Sequence, residues 1–168
     1  MDVFFEQIVP IRKNGSQNFS IFLFCLFSSL LAVFLFMTNL LGVFTLFAIF
    51  GIAWGTFKIV TMFNIEYEYI VTNSVMDVDR ITNKSSRKRE LSIDLKNVVS
   101  IKKYHPHLLE RINRKSIIFA CNSSDEGCFF LATQKPGAEK SYLVFAPNDN
   151  IRTAIKKFVP KFAVDSDF

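Results

Sequence analysis

Between Lys13 and Lys58 the chain runs for 44 consecutive residues without a charged side chain. A transmembrane helix needs about 20 mostly apolar residues to cross a hydrocarbon core roughly 30 Å thick, so the run has the length of two spans. The apolar pattern lapses at Thr38 and Asn39, short polar residues suited to a tight turn in the headgroup region. The sequence therefore predicts two helices, residues 19–37 and 40–60, within a membrane hairpin of residues 19–63.

Charge is segregated around that hairpin. Of the 20 Lys and Arg, three (Arg12, Lys13 and Lys58) lie at or before position 58 and 17 follow from Arg80 onward. The hairpin tip carries none, so the positive-inside rule predicts a multi-pass plasma-membrane protein with both termini cytoplasmic and residue 39 outside. A cleaved signal peptide would need a short apolar core and a small-residue cleavage site, and here a long Phe-rich run leads straight into a second apolar run. The segment 1–18 reads as a short amphipathic piece at the interface, with Val3, Phe5, Ile8 and Val9 apolar and Pro10 limiting its length.

Lipid tails remove the hydrophobic drive between helices, so small residues that allow close backbone approach become the candidate packing positions. Ser28 and Ala32 on the first helix lie at depths comparable to Gly51 and Gly55 on the second. Their spacing suits packing within the hairpin or between two copies of the chain. Trp54 and Lys58 read as interfacial anchors.

After Phe63 the period of the pattern changes to two. Residues 66–71 alternate, Asn73 and Ser74 form a two-residue turn, and residues 75–79 alternate again, which predicts a hairpin with Tyr67, Tyr69, Val71, Met76 and Val78 on one face. Its other face gathers Glu66, Glu68, Asp77 and Asp79. Three readings compete for these carboxylates: pairing with Arg87 and Arg89 of the next strand, binding of a divalent cation, or a general acid and base pair. Further strands are expected at 87–95, 98–104, 116–121, 128–133 and 141–146, with an acidic turn at Asp125 and Glu126 far from the membrane. A closing helix then begins at the N-cap Asn148 and carries Ile151, Ile155, Phe158, Val159 and Phe162 as its apolar stripe. Seven antiparallel strands closed by one amphipathic helix describe a pleckstrin-homology (PH)-like barrel over residues 64–168.

A membrane hairpin followed at once by such a domain resembles the bacterial PH-like membrane proteins. The stretch Glu66-Tyr67-Glu68-Tyr69, the pair Thr72-Asn73, the triplet Asp77-Val78-Asp79 and the block Arg87-Lys88-Arg89 are similar to a small clostridial-type family among them, which brings no activity with it. In PH domains that bind phosphoinositides the loop after the first strand is long and basic. Here the loop in that place is Asn73-Ser74, which departs from the pattern.

Motifs for catalysis are missing: the chain has no phosphate-binding Gly-rich loop, no His-Glu-x-x-His, no Gly-x-Ser-x-Gly and no Cys-x-x-Cys. His105 and His107 lack the companions a zinc site needs, and a cytoplasmic Cys121 and Cys128 would be free thiols. The expectation is a non-catalytic protein without cofactor, metal or nucleic-acid partner. Two functions remain open: an interaction module for a protein partner or a second copy of itself, or a binder of anionic lipid headgroups or a small phosphorylated ligand. For the second, the candidate contacts are Arg80, Lys84, Arg87, Lys88 and Arg89, placed near the bilayer because the second strand runs back toward it.

Overall fold

The computed structural model describes residues 3–109, 112–113, 116–122, 127–134, 137 and 140–168. It divides into two units: residues 12–65 form one, and residues 1–11 together with 66–168 form the other.

The first unit is a helical hairpin. Helix α1 spans Gly15–Thr38 and helix α2 spans Thr45–Met62, joined through a short 3-10 turn at Gly42–Phe44. Asn14 caps α1 in a reciprocal box with Gln17, and Asn39 ends it in the left-handed conformation, which Asn tolerates better than most residues. Both helices are long and apolar enough to cross a membrane. Their large side chains point outward: Phe27, Phe36, Phe47, Phe50 and Phe57 are all exposed. The facing seam holds Ser28 and Thr45, the buried residues of the two helices.

The second unit contains eight strands among the described residues, one more than the sequence pattern suggested. The extra strand is β1, Phe4–Pro10, which pairs antiparallel with β2, Ile65–Thr72, from Phe4↔Thr72 to Pro10↔Glu66. The N-terminal segment is thus a strand of the domain and no interfacial helix, and its accessibility alternates residue by residue. Phe5 and Val9 pack on the core while Phe4 and Ile8 face out. The helical hairpin is consequently an insertion between two paired neighbours, leaving and re-entering the β unit at the Pro10–Glu66 end of the ladder.

Strands β1, β2, β3 (Val75–Thr82) and β4 (Ser86–Asp94) form one four-stranded sheet in that order. The turn between β2 and β3 works because Asn73 takes positive φ and ties back to the start of β1: its backbone N donates to Val3 O at 2.9 Å and its Oδ1 accepts from Val3 N at 3.0 Å. The second sheet has the order β5 (Val98–Lys103), β7 (Phe129–Thr133), β8 (Ser141–Phe145), β6 (Ile117–Phe119), and β6 runs parallel to β8. The two sheets remain separate four-stranded layers and not a closed barrel of antiparallel strands. The expected acidic turn at Asp125 and Glu126 lies outside the described residues.

Helix α3, Asp149–Phe158, covers the core. Asn148 Oδ1 accepts from Ile151 N at 2.9 Å, and Ile151, Ala154 and Ile155 are fully buried against Tyr69, Leu131, Leu143 and Phe145. Pro160 follows the helix, so Phe162 leaves the expected stripe and is 87% exposed. Its neighbours are fixed: Val159 and Ala163 are buried, and Val164 bridges Ile101.

Candidate functional site

The outer face of the first sheet carries the charged network. Arg87 on β4 reaches across β3 to Glu68 on β2 at 2.8 Å, and its Nη2 also donates to Glu68 Oε1 at 2.9 Å. Arg89 grips two carboxylates of β3, with Nη1 at 3.0 Å from Asp77 and Nε at 3.1 Å from Asp79. Asp77 and Asp79, two residues apart, share a face of β3, and a register shift that leaves Glu90 of β4 without a partner sets Arg89 opposite Asp79 on that face, re-aiming its side chain as β-bulges commonly do. Of the three readings for the carboxylates, the geometry shows pairing, though Arg87 takes Glu68 and leaves Asp77 and Asp79 to Arg89. Glu66 stands outside these ion pairs.

Glu68 is fully buried, an unusual state for a carboxylate. Burial pushes its pKa up, a hydrogen bond with the Glu6 side chain pushes the same way, and the Arg87 guanidinium opposes both. Glu6 sits on β1, whose place in the sheet the sequence pattern had not revealed, so the second carboxyl was missed. Arg89 is pushed upward chiefly by its hydrogen bond to Asp79, then by the charge of Asp77.

The five predicted cations share the β3–β4 hairpin. Its turn, with Asn83 and Lys84 at positive φ, lies at the same sheet end as the Pro10–Glu66 pair, because β2 and β3 are joined by a two-residue turn at the other end. Pairing divides the five. Arg87 and Arg89 are held by acids, and Lys88 lies 3.6 Å from Glu90. Among the described residues Arg80 and Lys84 are in no ion pair, and the Arg80 Nε is buried without a hydrogen-bond acceptor there. Arg80 lies beside Tyr67, whose phenol is pushed upward by burial, with Arg80 opposing.

Two polar side chains join the layers of the β unit. Tyr69 donates its hydroxyl to Ala120 O and accepts from Ala146 N at 3.3 Å, with its ring edge-on to Phe145. Gln7 of β1 donates to Ala146 O at 2.9 Å and accepts from Asn148 N at 2.8 Å, which ties β1 to the start of α3. The alternation of residues 66–71 put Tyr69 on the core face, whereas Gln7 lies in a stretch, residues 3–9, whose polar and apolar residues do not alternate. Cys121 and Cys128 are joined as a disulfide, with Cα atoms 6.8 Å apart, in place of the expected free thiols, because β6 and the start of β7 bring them together. His105 and His107 stack at 5.3 Å, and no group able to hold a metal ion is found among the described residues.

In the hairpin unit, Ser28 and Ala32 line the space between the helices. Gly51 and Gly55 do not touch α1: a Cβ added at either would meet nothing within 4 Å. The packing role within the hairpin therefore fails for these two, since the face α2 turns to α1 is the one bearing Ile49, Ile52 and Thr56.

For the loop that follows the first strand, the identity of β1 changes the reading. That loop is the whole stretch from Ile11 to Asn64, flanked by Arg12, Lys13 and Lys58, and Asn73-Ser74 is the second turn. No curated protein and no solved structure matches the chain. Residues 1–165 match the family described as a bacterial PH-like domain (DUF6106), and with that match spanning β1, the inserted helices and both sheets, the chain belongs to this family.

Proposed function

We propose that the chain is a non-catalytic membrane protein that presents its PH-like domain to a protein partner or to a second copy of itself. The observation carrying this reading is the insertion of two apolar helices between the paired strands β1 and β2. Residues 11–14 and 63–64 connect the helices to the Pro10–Glu66 end of the ladder. Strands rise about 3.3 Å per residue, so the Asn73–Ser74 end lies roughly 25 Å from that end. Phe162 stands 87% exposed between the buried Val159 and Ala163, two residues before the Val164 bridge to Ile101 of β5. A rigidly held exposed aromatic is a common anchor in protein recognition.

A second reading, contact with anionic lipid headgroups, is supported by Arg80 and Lys84, which among the described residues are in no ion pair and lie at the Pro10–Glu66 end of the sheet. A cation at such a surface is worth about 1 kcal/mol. Both readings place the domain in the cytoplasm by the charge asymmetry.

The test uses the full-length protein in its own membrane with a photo-crosslinking residue at position 162 or 85. Protein adducts from 162 and lipid adducts from 85 are expected, and the reverse pattern would overturn the orientation. Single cysteines at positions 39 and 85, in a background lacking the native cysteines, report sidedness. An impermeant maleimide should label position 39 in intact cells and position 85 only after permeabilisation.

A further inference from the structure

The seam between α1 and α2 is not filled along its length. Near the middle of both helices lies a cavity of about 240 Å³, walled by Cys25, Ser28 and Ala32 on one side and Ile52, Ala53 and Thr56 on the other. Its hydroxyl groups commit their protons to their own helices: Ser28 Oγ donates to Phe24 O at 2.8 Å and Thr56 Oγ1 to Ile52 O at 2.7 Å. Ser29, at the rim, donates to Leu26 O at 2.8 Å. The wall therefore offers an occupant almost nothing but apolar surface.

Depth and size decide what fits. An apolar cavity of about 150 Å³ is enough to bind benzene, so this one has room for a run of several methylenes. In a span the middle of each helix lies in the hydrocarbon core, where acyl chains are the matter at hand. Cys25 and Ser29 are exposed, so the space opens sideways. An unfilled void would deprive its lining of dispersion contacts, which are a large share of what joins helices in lipid.

We propose that this cavity is a binding site for one acyl chain of a bilayer lipid, retained as a resident of the hairpin. The inference rests on reading α1 and α2 as membrane spans. Selection is for hydrocarbon, and the headgroup contributes nothing at this depth.

Native mass spectrometry of the full-length protein released from nanodiscs tests it, with palmitoyl-oleoyl phosphatidylglycerol in one set and palmitoyl-oleoyl phosphatidylcholine in the other. One lipid per chain is expected from both. Val33→Phe, at an exposed position of α1, should retain it, whereas Ala32→Phe and the milder Ala53→Leu should retain roughly tenfold less, a loss of about 1.4 kcal/mol. Equal retention in all four proteins, retention that follows the headgroup, or a lipid-free dimer with the cavity closed by a second copy would each overturn the proposal. Carbonate extraction separates the two levels: a chain stripped from membranes fails the spanning reading, and one that stays embedded but carries no lipid fails the cavity alone.

Discussion

The two units of this protein solve burial in opposite directions. Helix α1 has 24 residues and buries one of them, Ser28, while strand β7 has five residues and buries all five. Phe lies on the outside of the first and at the centre of the second. Apolar side chains have no fixed inside; they go where water is absent, which is outward in a bilayer and inward in a sheet sandwich. A corollary is that small residues line the approach of the two helices within the hairpin, their hydroxyls bonded within their own helices, whereas in the β unit apolar contacts bind and a few polar groups, Gln7, Tyr69 and Asn148, set the alignment.

That contrast is broken most severely at β1. A chain beginning at residue 65 should fail to give a cooperative melt, since it exposes the whole edge of β2 and loses Phe5 and Val9 from the core. Replacing residues 12–64 with a short Gly-Ser turn should instead give a folded, water-soluble domain, with circular dichroism and thermal melting as the readout. If the first variant melts as sharply as the second, β1 is dispensable. Next in size is Ile155→Asp, which puts a carboxylate into a fully closed site at a cost of several kcal/mol and should unfold the domain. Lys156→Asp loses only the placement of its ammonium over the Phe168 ring, worth about 0.5–1 kcal/mol.

Much of this was legible in the chain. The uncharged run specified the hairpin, and the period-two stretches located β2 to β8, because in both the chemistry of the pattern is local. What stayed hidden was β1 and its partner: Phe4 to Pro10 alternates in accessibility, but its residues come as apolar and polar pairs with no period of two, and the pairing strand lies beyond an entire hairpin. Phe162 was misplaced for a different reason. Its spacing continues the helical stripe, and Pro160 ends the helix before that spacing applies. The ion pairs of Arg89 followed from neighbouring strands, whereas Glu68 with Arg87 spans a strand in between, which no adjacent-strand rule anticipates.

Smaller perturbations sharpen the comparison. Tyr69→Phe keeps the ring against Phe145 but leaves Ala120 O and Ala146 N without their hydroxyl, and about 1–3 kcal/mol of stability should be lost in denaturant titrations. Glu68→Gln should act through pH. Because the folded state raises the pKa of Glu68 above the ordinary 4.5, its contribution is fully present below that value and is lost as pH rises through the folded value. The variant should therefore melt at or above the wild-type temperature near neutrality, with the gap closing toward pH 4; a variant markedly less stable at pH 7 would show that the Arg87 pair outweighs burial. The smallest effect is expected in the hairpin. Gly51→Ala and Gly55→Ala meet open space and gain up to about 1 kcal/mol of helix propensity, so hairpin association measured by disulfide trapping across the helices should not weaken.

The ladder between β1 and β2 also imposes a parity rule on biogenesis. Strand β1 is synthesised first and then waits while the helical segment emerges, and β2 can reach it only if both strands end on the same side of the bilayer. An odd number of crossings would strand β1 in the wrong compartment with its partner out of reach. For helices that span a membrane, the pairing of Pro10 with Glu66 is thus compatible only with an even number of crossings.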